Sequence, residues 1–100
     1  MKVLRAAKMR RGAGEAARLM RALGNEDRLM LLCQLSQGEL CVGDLEERTG
    51  IHQPTLSQQL GVLRAVGLAD TRRDGKQIFY SLADPGALAV LRILYERYCA

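Results

Sequence analysis

Three cysteines are the residues of this chain with the most specific chemistry. Cys33 and Cys41 lie in the stretch RLMLLCQLSQGELCVGDL, residues 28–45, and Cys99 is the penultimate residue. Thiols can pack as small apolar groups, bind soft metal ions, or react with oxidants and sulfane sulfur. An odd number of cysteines does not suit a framework of disulfides. We therefore expect a cytoplasmic protein, in which an oxidised pair of thiols would be regulatory.

A second group of residues is suited to contact DNA. The predicted fourth helix has an inward face of leucines, at positions 56, 60 and 63, and short polar side chains on the opposite face. These polar residues, with the glutamine at the start of the helix, are Gln53, Thr55, Ser57 and Gln58. Glutamine can bond adenine bidentately, and Ser and Thr can reach bases or phosphates. A predicted hairpin with an Asp-Gly turn follows and carries the cations Arg72, Arg73 and Lys76, which suit phosphate contact.

The periodicity of the chain predicts a mainly α fold with a small β-hairpin wing. Helices are expected over 15–23, 26–37, 42–49, 51–67 and 84–100, and strands over 68–73 and 76–82. Asn25, Cys41 and Asp84 are the expected caps of three of these helices. The order helix, helix, helix-turn-helix, hairpin, helix is that of a winged helix-turn-helix. In that arrangement the second helix of the motif enters the major groove, and the wing contacts phosphates or the minor groove.

Composition indicates one small domain with a basic N-terminal segment. We expect residues 1–14 to form a basic flexible arm and residues 15–100 to form the winged helix-turn-helix domain. Residues 1–11 carry five basic and no acidic residues, and the rest of the chain holds ten basic against eleven acidic residues. The arm can bind phosphates or can simply be solvated. A small aliphatic core with few aromatic residues is expected to leave an apolar surface that a second subunit covers.

Other classes of protein fit the sequence poorly. No apolar run approaches the ~20 residues of a membrane span, and the basic N-terminus lacks the apolar segment of a signal peptide. A glycine-rich phosphate loop and a plausible Ser-His-Asp set are missing, so we expect neither an enzyme nor a bound cofactor. A winged helix that binds only protein would leave the polar helix face and the basic wing without a purpose.

The chain resembles the ArsR/SmtB family of bacterial winged-helix repressors over residues 15–99. The resemblance rests on ALGNEDRLMLLCQL, on QPTLSQQLGVLRAVGLADTRRDGKQIFYSL and on the spacing between them. It implies a homodimer built through the first and last helices. Each subunit would read half of an inverted repeat in double-stranded promoter DNA until an inducer releases the protein. By position, the resemblance implies recognition contacts from Gln53, Thr55, Ser57 and Gln58, and a wing with Arg72, Arg73 and Lys76.

The metal sites that this family often carries are incomplete here. In ELCVGDL, Gly43 stands where many members have the second cysteine of a Cys-x-Cys pair. The last helix offers Asp84 and Glu96 but no histidine, and the single histidine, His52, belongs to the DNA-reading region. We therefore expect no metal site of either kind. If all three thiols converged, they could instead hold a thiophilic species such as arsenite or Cu(I), which would make the chain a metalloid- or metal-responsive repressor.

The positions of two cysteines resemble those of a subgroup of this family that senses persulfides and related reactive sulfur. Cys33 in RLMLLC and Cys99 in ERYCA match the two working cysteines of that subgroup. The resemblance therefore implies a redox-sensing pair, with reactive sulfur species as the inducer. Cys41 has no counterpart there, yet the predicted helix N-terminus at Cys41 favours a reactive thiolate. Cys41 is accordingly either a bystander or an accessory thiol.

Overall fold

Residues 5–100 are described by a computed structural model and form five helices and one three-stranded antiparallel sheet. The helices are α1 (Ala6–Leu23), α2 (Glu26–Leu35), α3 (Val42–Thr49), α4 (Thr55–Ala65) and α5 (Pro85–Tyr98), and the strands are β1 (Leu40–Cys41), β2 (Ala69–Asp74) and β3 (Gln77–Leu82). This order confirms the predicted winged helix-turn-helix, in which α3 and α4 form the helix-turn-helix and β2 and β3 form the wing. Over the same residues, no helix is both long and apolar enough to cross a membrane.

Two of the three predicted helix caps are confirmed. The side chain of Asn25 accepts a hydrogen bond of 3.0 Å from the backbone N–H of Arg28 at the start of α2. Asp84 accepts one of 2.8 Å from the N–H of Gly86 at the start of α5. Cys41 does occupy the N-cap position of α3, but its side chain makes no capping hydrogen bond. Sulfur is a weak acceptor, so the prediction that the Cys41 side chain caps α3 is wrong.

The core is almost entirely leucine. Its largest fully buried side chains lie on α2, α3 and α4 and are Leu31, Leu32, Leu45, Leu56, Leu60 and Leu63. The inward face predicted for α4 is therefore confirmed. Because burial of these side chains is favourable by roughly 2 kcal/mol each, they determine which face of α4 points away from the core.

The central strand of the sheet is β3, which pairs with β2 on one side and with β1 on the other. The strand β1 was not predicted, because two residues are too few to show the alternation that marks a strand in a sequence. In the paired register, Cys41 and Arg72 both lie opposite Phe79, on the two neighbouring strands. This short strand therefore attaches Cys41 to the wing beside Phe79.

The first helix begins at Ala6, nine residues before the predicted start at Glu15. Gly12 and Gly14 lie inside it, although each glycine costs about 1 kcal/mol relative to alanine. The Ala, Lys, Met and Arg residues around them are strong helix formers and outweigh that cost. The predicted flexible arm over 1–14 is thus helical from Ala6 onward, and its residues 1–4 lie outside the described part of the chain.

Candidate DNA-binding surface and thiol pair

The outward face of α4 presents the polar residues that the sequence analysis selected. Ser57 and Gln58 are exposed and Thr55 is half-buried, while the adjacent Leu56 is fully buried. This contrast follows from helical geometry, because residues one or two positions apart point in different directions. Ser57 and Gln58 are consequently free to meet base edges or phosphates along the exposed side of α4.

Gln53 has a second role that the sequence analysis missed. Its Oε1 accepts a hydrogen bond of 3.1 Å from the backbone N–H of Ser57, in the first turn of α4. The first N–H groups of a helix lack partners within the helix, so this side chain supplies one of them. Gln53 therefore holds the start of α4, and only its amide nitrogen remains to donate to DNA.

Arg72 on the wing is already paired within the protein. Its Nε and Nη2 donate to the two carboxylate oxygens of Glu39 at 2.7 and 2.6 Å, and its guanidinium lies 4.6 Å from the centre of the Phe79 ring. Asp74 lies 4.0 Å from the remaining nitrogen. Hydrogen bonding and charge from Arg72 lower the pKa of Glu39, so Glu39 stays ionised at neutral pH. The bidentate pair ties the wing to the turn that precedes β1.

Arg73 and Lys76 are placed differently. Within residues 5–100, neither side chain has an ion-pair or hydrogen-bond partner, and both are exposed. Successive residues of a strand point to opposite faces of the sheet, so Arg73 projects away from the face that carries Arg72. Of the three predicted wing cations, these two retain all their donors for phosphate.

An arginine that the sequence analysis overlooked links three helices. Arg28 on α2 donates from Nε to the carbonyl of Ala22 at 2.6 Å and from Nη2 to that of Arg21 at 3.0 Å, both at the end of α1. Its Nη1 donates to Oε1 of Gln59 on α4 at 3.0 Å. A cation in the first turn of a helix opposes the helix dipole. The unfavourable position of Arg28 in GNEDRLM was therefore the sign in the sequence that its side chain has partners outside the helix.

Cys99 lies near enough to Cys33 for its charge to act on that thiol. Cys33 lies on α2, half-buried and packed against the core, and Cys99 follows the last turn of α5 and is exposed; both are free thiols. Burial raises the pKa of Cys33, and the nearby charge of a Cys99 thiolate raises it further. The pair predicted by the resemblance is therefore close enough to interact electrostatically, although its members are far apart in sequence.

A groove of about 540 Å³ opens beside Cys33 between α2 and α5. Its lining includes Gln34 and Gln37 from the α2 side and Arg92, Tyr95 and Glu96 from α5. Small-molecule sites commonly have volumes of roughly 300–1,000 Å³. A small thiol compound can therefore reach Cys33 through this groove.

Cys41 does not join the other two thiols. It lines a separate hollow with Lys76 and Ile78, close to the turn of the wing. Across residues 5–100, no three His, Cys, Asp or Glu side chains come close enough together to hold a metal ion. The convergence of three thiolates that an arsenite or Cu(I) site would need is thus not found within the described part of one chain.

The difference between the two paired thiols predicts an order of alkylation. With iodoacetamide near pH 7.5, we expect Cys99 to react before Cys33, because Cys99 is exposed whereas burial lowers the thiolate fraction of Cys33. Since the pKa of Cys33 lies above its ordinary value, its rate should still be rising at pH values where an unperturbed thiol has levelled off. Peptide mass spectrometry between pH 7 and 10 measures both rates. Equal rates in urea are the control, and faster labelling of Cys33 in the folded chain would contradict the prediction.

Comparison with known proteins places this arrangement in a family. Residues 25–71 match the helix-turn-helix pattern described as "Bacterial regulatory protein, arsR family". The chain is 53% identical to the "Biofilm growth-associated repressor" of Agrobacterium fabrum (strain C58), over 92% of this chain and 79% of that protein.

Solved structures show the same likeness. The crystal structure of the transcriptional repressor BigR from Xylella fastidiosa is similar with a TM-score of 0.89 and 48% identity, over 97% of this chain and 99% of that one. The homodimeric winged helix-turn-helix DNA-binding domain of Mb0332 from Mycobacterium bovis is similar with a TM-score of 0.75 and 30% identity, over 94% and 86% of the two chains. With a sequence and a fold that match these relatives over most of their length, the chain is a member of the arsR family of bacterial regulatory proteins, a transcription regulator and not an enzyme.

Proposed function

We propose that this chain is a homodimeric repressor that leaves its promoter DNA when Cys33 and Cys99 react with a persulfide. The observation that carries the proposal is the proximity of two free thiols on α2 and at the end of α5, which differ in burial. Both thiols match the positions of the working cysteines in the persulfide-sensing subgroup. The repressor assignment is supported by the similar proteins of Agrobacterium fabrum and Xylella fastidiosa, both of which are repressors.

DNA is read by α4 and the wing. Ser57 and Gln58 enter the major groove, Thr55 contacts the backbone beside them, and Gln53 holds the start of the helix. Glutamine can bond the N6 and N7 edge of adenine bidentately. In a dimer, the two copies of α4 must lie about one helical turn of DNA apart, ~34 Å, so that each reads one half of an inverted repeat.

The dimer is formed by α1 and α5. The last turns of α5 carry large apolar side chains that the single chain leaves exposed, with Ile93 66% exposed and Tyr98 74% exposed. Met9 and Met20 on α1 are also exposed. Apolar surface of this kind is usually covered by another protein, and the similar Mb0332 domain is homodimeric.

The chemistry requires no oxidant other than the persulfide. The Cys99 thiolate takes the outer sulfur of one RSSH, which leaves RSH and a Cys99 persulfide. That persulfide attacks the inner sulfur of a second RSSH and expels H₂S, which gives Cys99–S–S–S–R. The Cys33 thiolate then attacks the middle sulfur and expels RSH, which leaves a trisulfide between the two cysteines. Two thiols and two RSSH thus yield one trisulfide, two RSH and one H₂S.

The bridge acts on DNA binding through the angle between α2 and α5. An ordinary disulfide needs Cα atoms within ~7 Å, and an added sulfur atom lengthens the reach of the bridge. Since α5 belongs to the dimer interface and α2 packs against α4, a bridge between α2 and α5 changes the spacing of the two reading helices. A coupling free energy of about 1–3 kcal/mol would lower DNA affinity roughly 5- to 150-fold.

The direct test measures binding of the reduced chain to the promoter of its own gene by fluorescence anisotropy. Separate samples receive a persulfide donor, hydrogen peroxide, arsenite or zinc, and the intact mass of each is recorded. We expect release with the persulfide alone, together with the mass of one sulfur atom bridging Cys33 and Cys99. Release by arsenite without a covalent mass change would replace the proposal with a metalloid sensor, and binding unchanged by every reagent would leave a repressor without a thiol switch.

The three wing cations are expected to differ in their effect on salt dependence. Replacing Arg73 or Lys76 by alanine should weaken operator and random DNA alike and reduce the slope of log K against log [salt] by about 1. The Arg72→Ala variant should leave the slope nearly unchanged, because Glu39 already neutralises that cation. Titrations between 50 and 300 mM salt give the slopes. Exchange of the pair, with Glu39→Arg and Arg72→Glu together, is the control and should bind as the native chain does, whereas a loss of slope in Arg72→Ala equal to that in Arg73→Ala would contradict this assignment.

A further inference from the structure

We infer that Arg28 and Gln59 form a positioning pair that sets α4 relative to the end of α1. The inference rests on the proposed reading of DNA by α4, and it assigns neither side chain to DNA. It starts from the single guanidinium of Arg28, which donates to α1 through two nitrogens and to α4 through the third.

The contacts with α1 hold the guanidinium in place. The last carbonyl groups of a helix have no partner within it, and a cation near them is favoured by the helix dipole. Arg28 places its cation there and donates to the carbonyls of Arg21 and Ala22, the first of which also accepts a hydrogen bond of 3.3 Å from the backbone N–H of Gly24. With Nε and Nη2 engaged, the planar group has one direction left for Nη1, and Gln59 lies in that direction at 3.0 Å.

The contact with Gln59 resists rotation of α4, which the leucine core does only weakly. Leu56, Leu60 and Leu63 press α4 against the core, yet apolar packing is not directional, so it resists small rotations of a helix weakly. A charge-assisted hydrogen bond has a preferred length and angle. Gln59 directly follows Gln58, and therefore a rotation of α4 that broke the bond from Arg28 would also swing Gln58 and Ser57 away from the bases.

This arrangement has a functional consequence in the dimer. Because α1 belongs to the proposed dimer interface, the pair connects that interface to the reading helix through one side chain. The spacing of the two copies of α4 is then set by α1 of each subunit. Arg28 and Gln59 are accordingly positioning residues, whereas Ser57 and Gln58 touch DNA.

The test is a double-mutant cycle measured on DNA binding. Gln59→Met removes the acceptor and keeps the size of the side chain, and Arg28→Lys keeps the charge but loses the fork of donors. We expect each variant to bind the operator about 5- to 50-fold more weakly while random DNA and the salt slope are unaffected, since no phosphate contact is lost. We expect the double variant to bind no more weakly than Arg28→Lys alone, because both changes break one link.

Gln58→Met is the matched neighbour. We expect the loss of operator affinity in Gln58→Met to add to the loss in Arg28→Lys, because Gln58 acts on DNA directly. Helical circular dichroism and the unfolding midpoint verify that each variant is folded. The inference is overturned if Gln59→Met binds the operator as the native chain does. It is also overturned if the loss of operator affinity in Gln59→Met adds to the loss in Arg28→Lys. Should the native chain itself fail to bind promoter DNA, the proposed function fails instead, and the two failures are thereby distinguished.

Discussion

A chain with Cys99 replaced by serine is expected to stay on its promoter DNA in the presence of a persulfide donor that releases the native chain. Serine is nearly the same size as cysteine but has no reactive sulfur, and the side chain is exposed, so the fold and the resting affinity should be unchanged. In the native chain we expect a fall in affinity of about 5- to 150-fold, and in Cys99→Ser a fall of less than about twofold, within the range of an uncoupled site. Anisotropy titrations with and without the donor give both ratios.

The other two thiols make this experiment specific. Cys33→Ser should also abolish release, but it should leave a persulfide or mixed polysulfide on Cys99, because the first attack does not need Cys33. Cys41→Ser is the matched control and should respond as the native chain does, since Cys41 lies beside the wing and apart from Cys33 and Cys99. If the persulfide donor still released Cys99→Ser from DNA but no longer released Cys41→Ser, the reactive thiol would be Cys41 beside the wing.

The second large effect is expected at the proposed dimer interface. Glutamate in place of Ile93 puts a charge on a side chain that is 66% exposed in the single chain and that the proposed dimer would cover. An unpaired charge in an apolar interface is strongly unfavourable, so Ile93→Glu should be monomeric at micromolar concentration. Because the dimer binds two half-sites at once, the monomer should lose about 10²- to 10⁴-fold in operator affinity.

Sedimentation velocity and anisotropy on the same samples measure both quantities. Gln37→Glu is the control, because it also adds one negative charge on an exposed residue but lies outside α1 and α5. We expect it to remain dimeric and to bind the operator nearly as well as the native chain. If Ile93→Glu remained dimeric with native affinity, the interface would have to be sought away from α5.

Features that depend on neighbouring residues were predictable from the sequence. Asn25 and Asp84 cap the helices that follow them because a side-chain oxygen reaches an N–H two or three residues on. The hairpin turns at Gly75, whose φ of 63° is in the left-handed region that glycine adopts readily. The inward leucines of α4 follow from the helical period alone. In each case, the interaction that decides the structure spans about four residues or fewer.

Features that depend on several elements at once were mispredicted or missed. β1 exists only because β3 offers it a partner. Arg72 reads as a phosphate contact in the sequence, yet Glu39, which is 33 residues away, takes up its donors. No local pattern could have shown that pairing.

The sequence by itself thus determined the winged helix-turn-helix and the exposed polar face of α4, and family resemblance led to the proposal of the pair of cysteines. Only the tertiary structure decided that Cys99 lies near enough to Cys33 to act on its charge, while Cys41 lines a separate hollow beside the wing. It likewise decided that Arg28, 31 residues from Gln59, reaches the reading helix. The physical reason is that helical period, caps and turns are set by residues a few positions apart, whereas these side-chain partners are brought together by the packing of the whole leucine core.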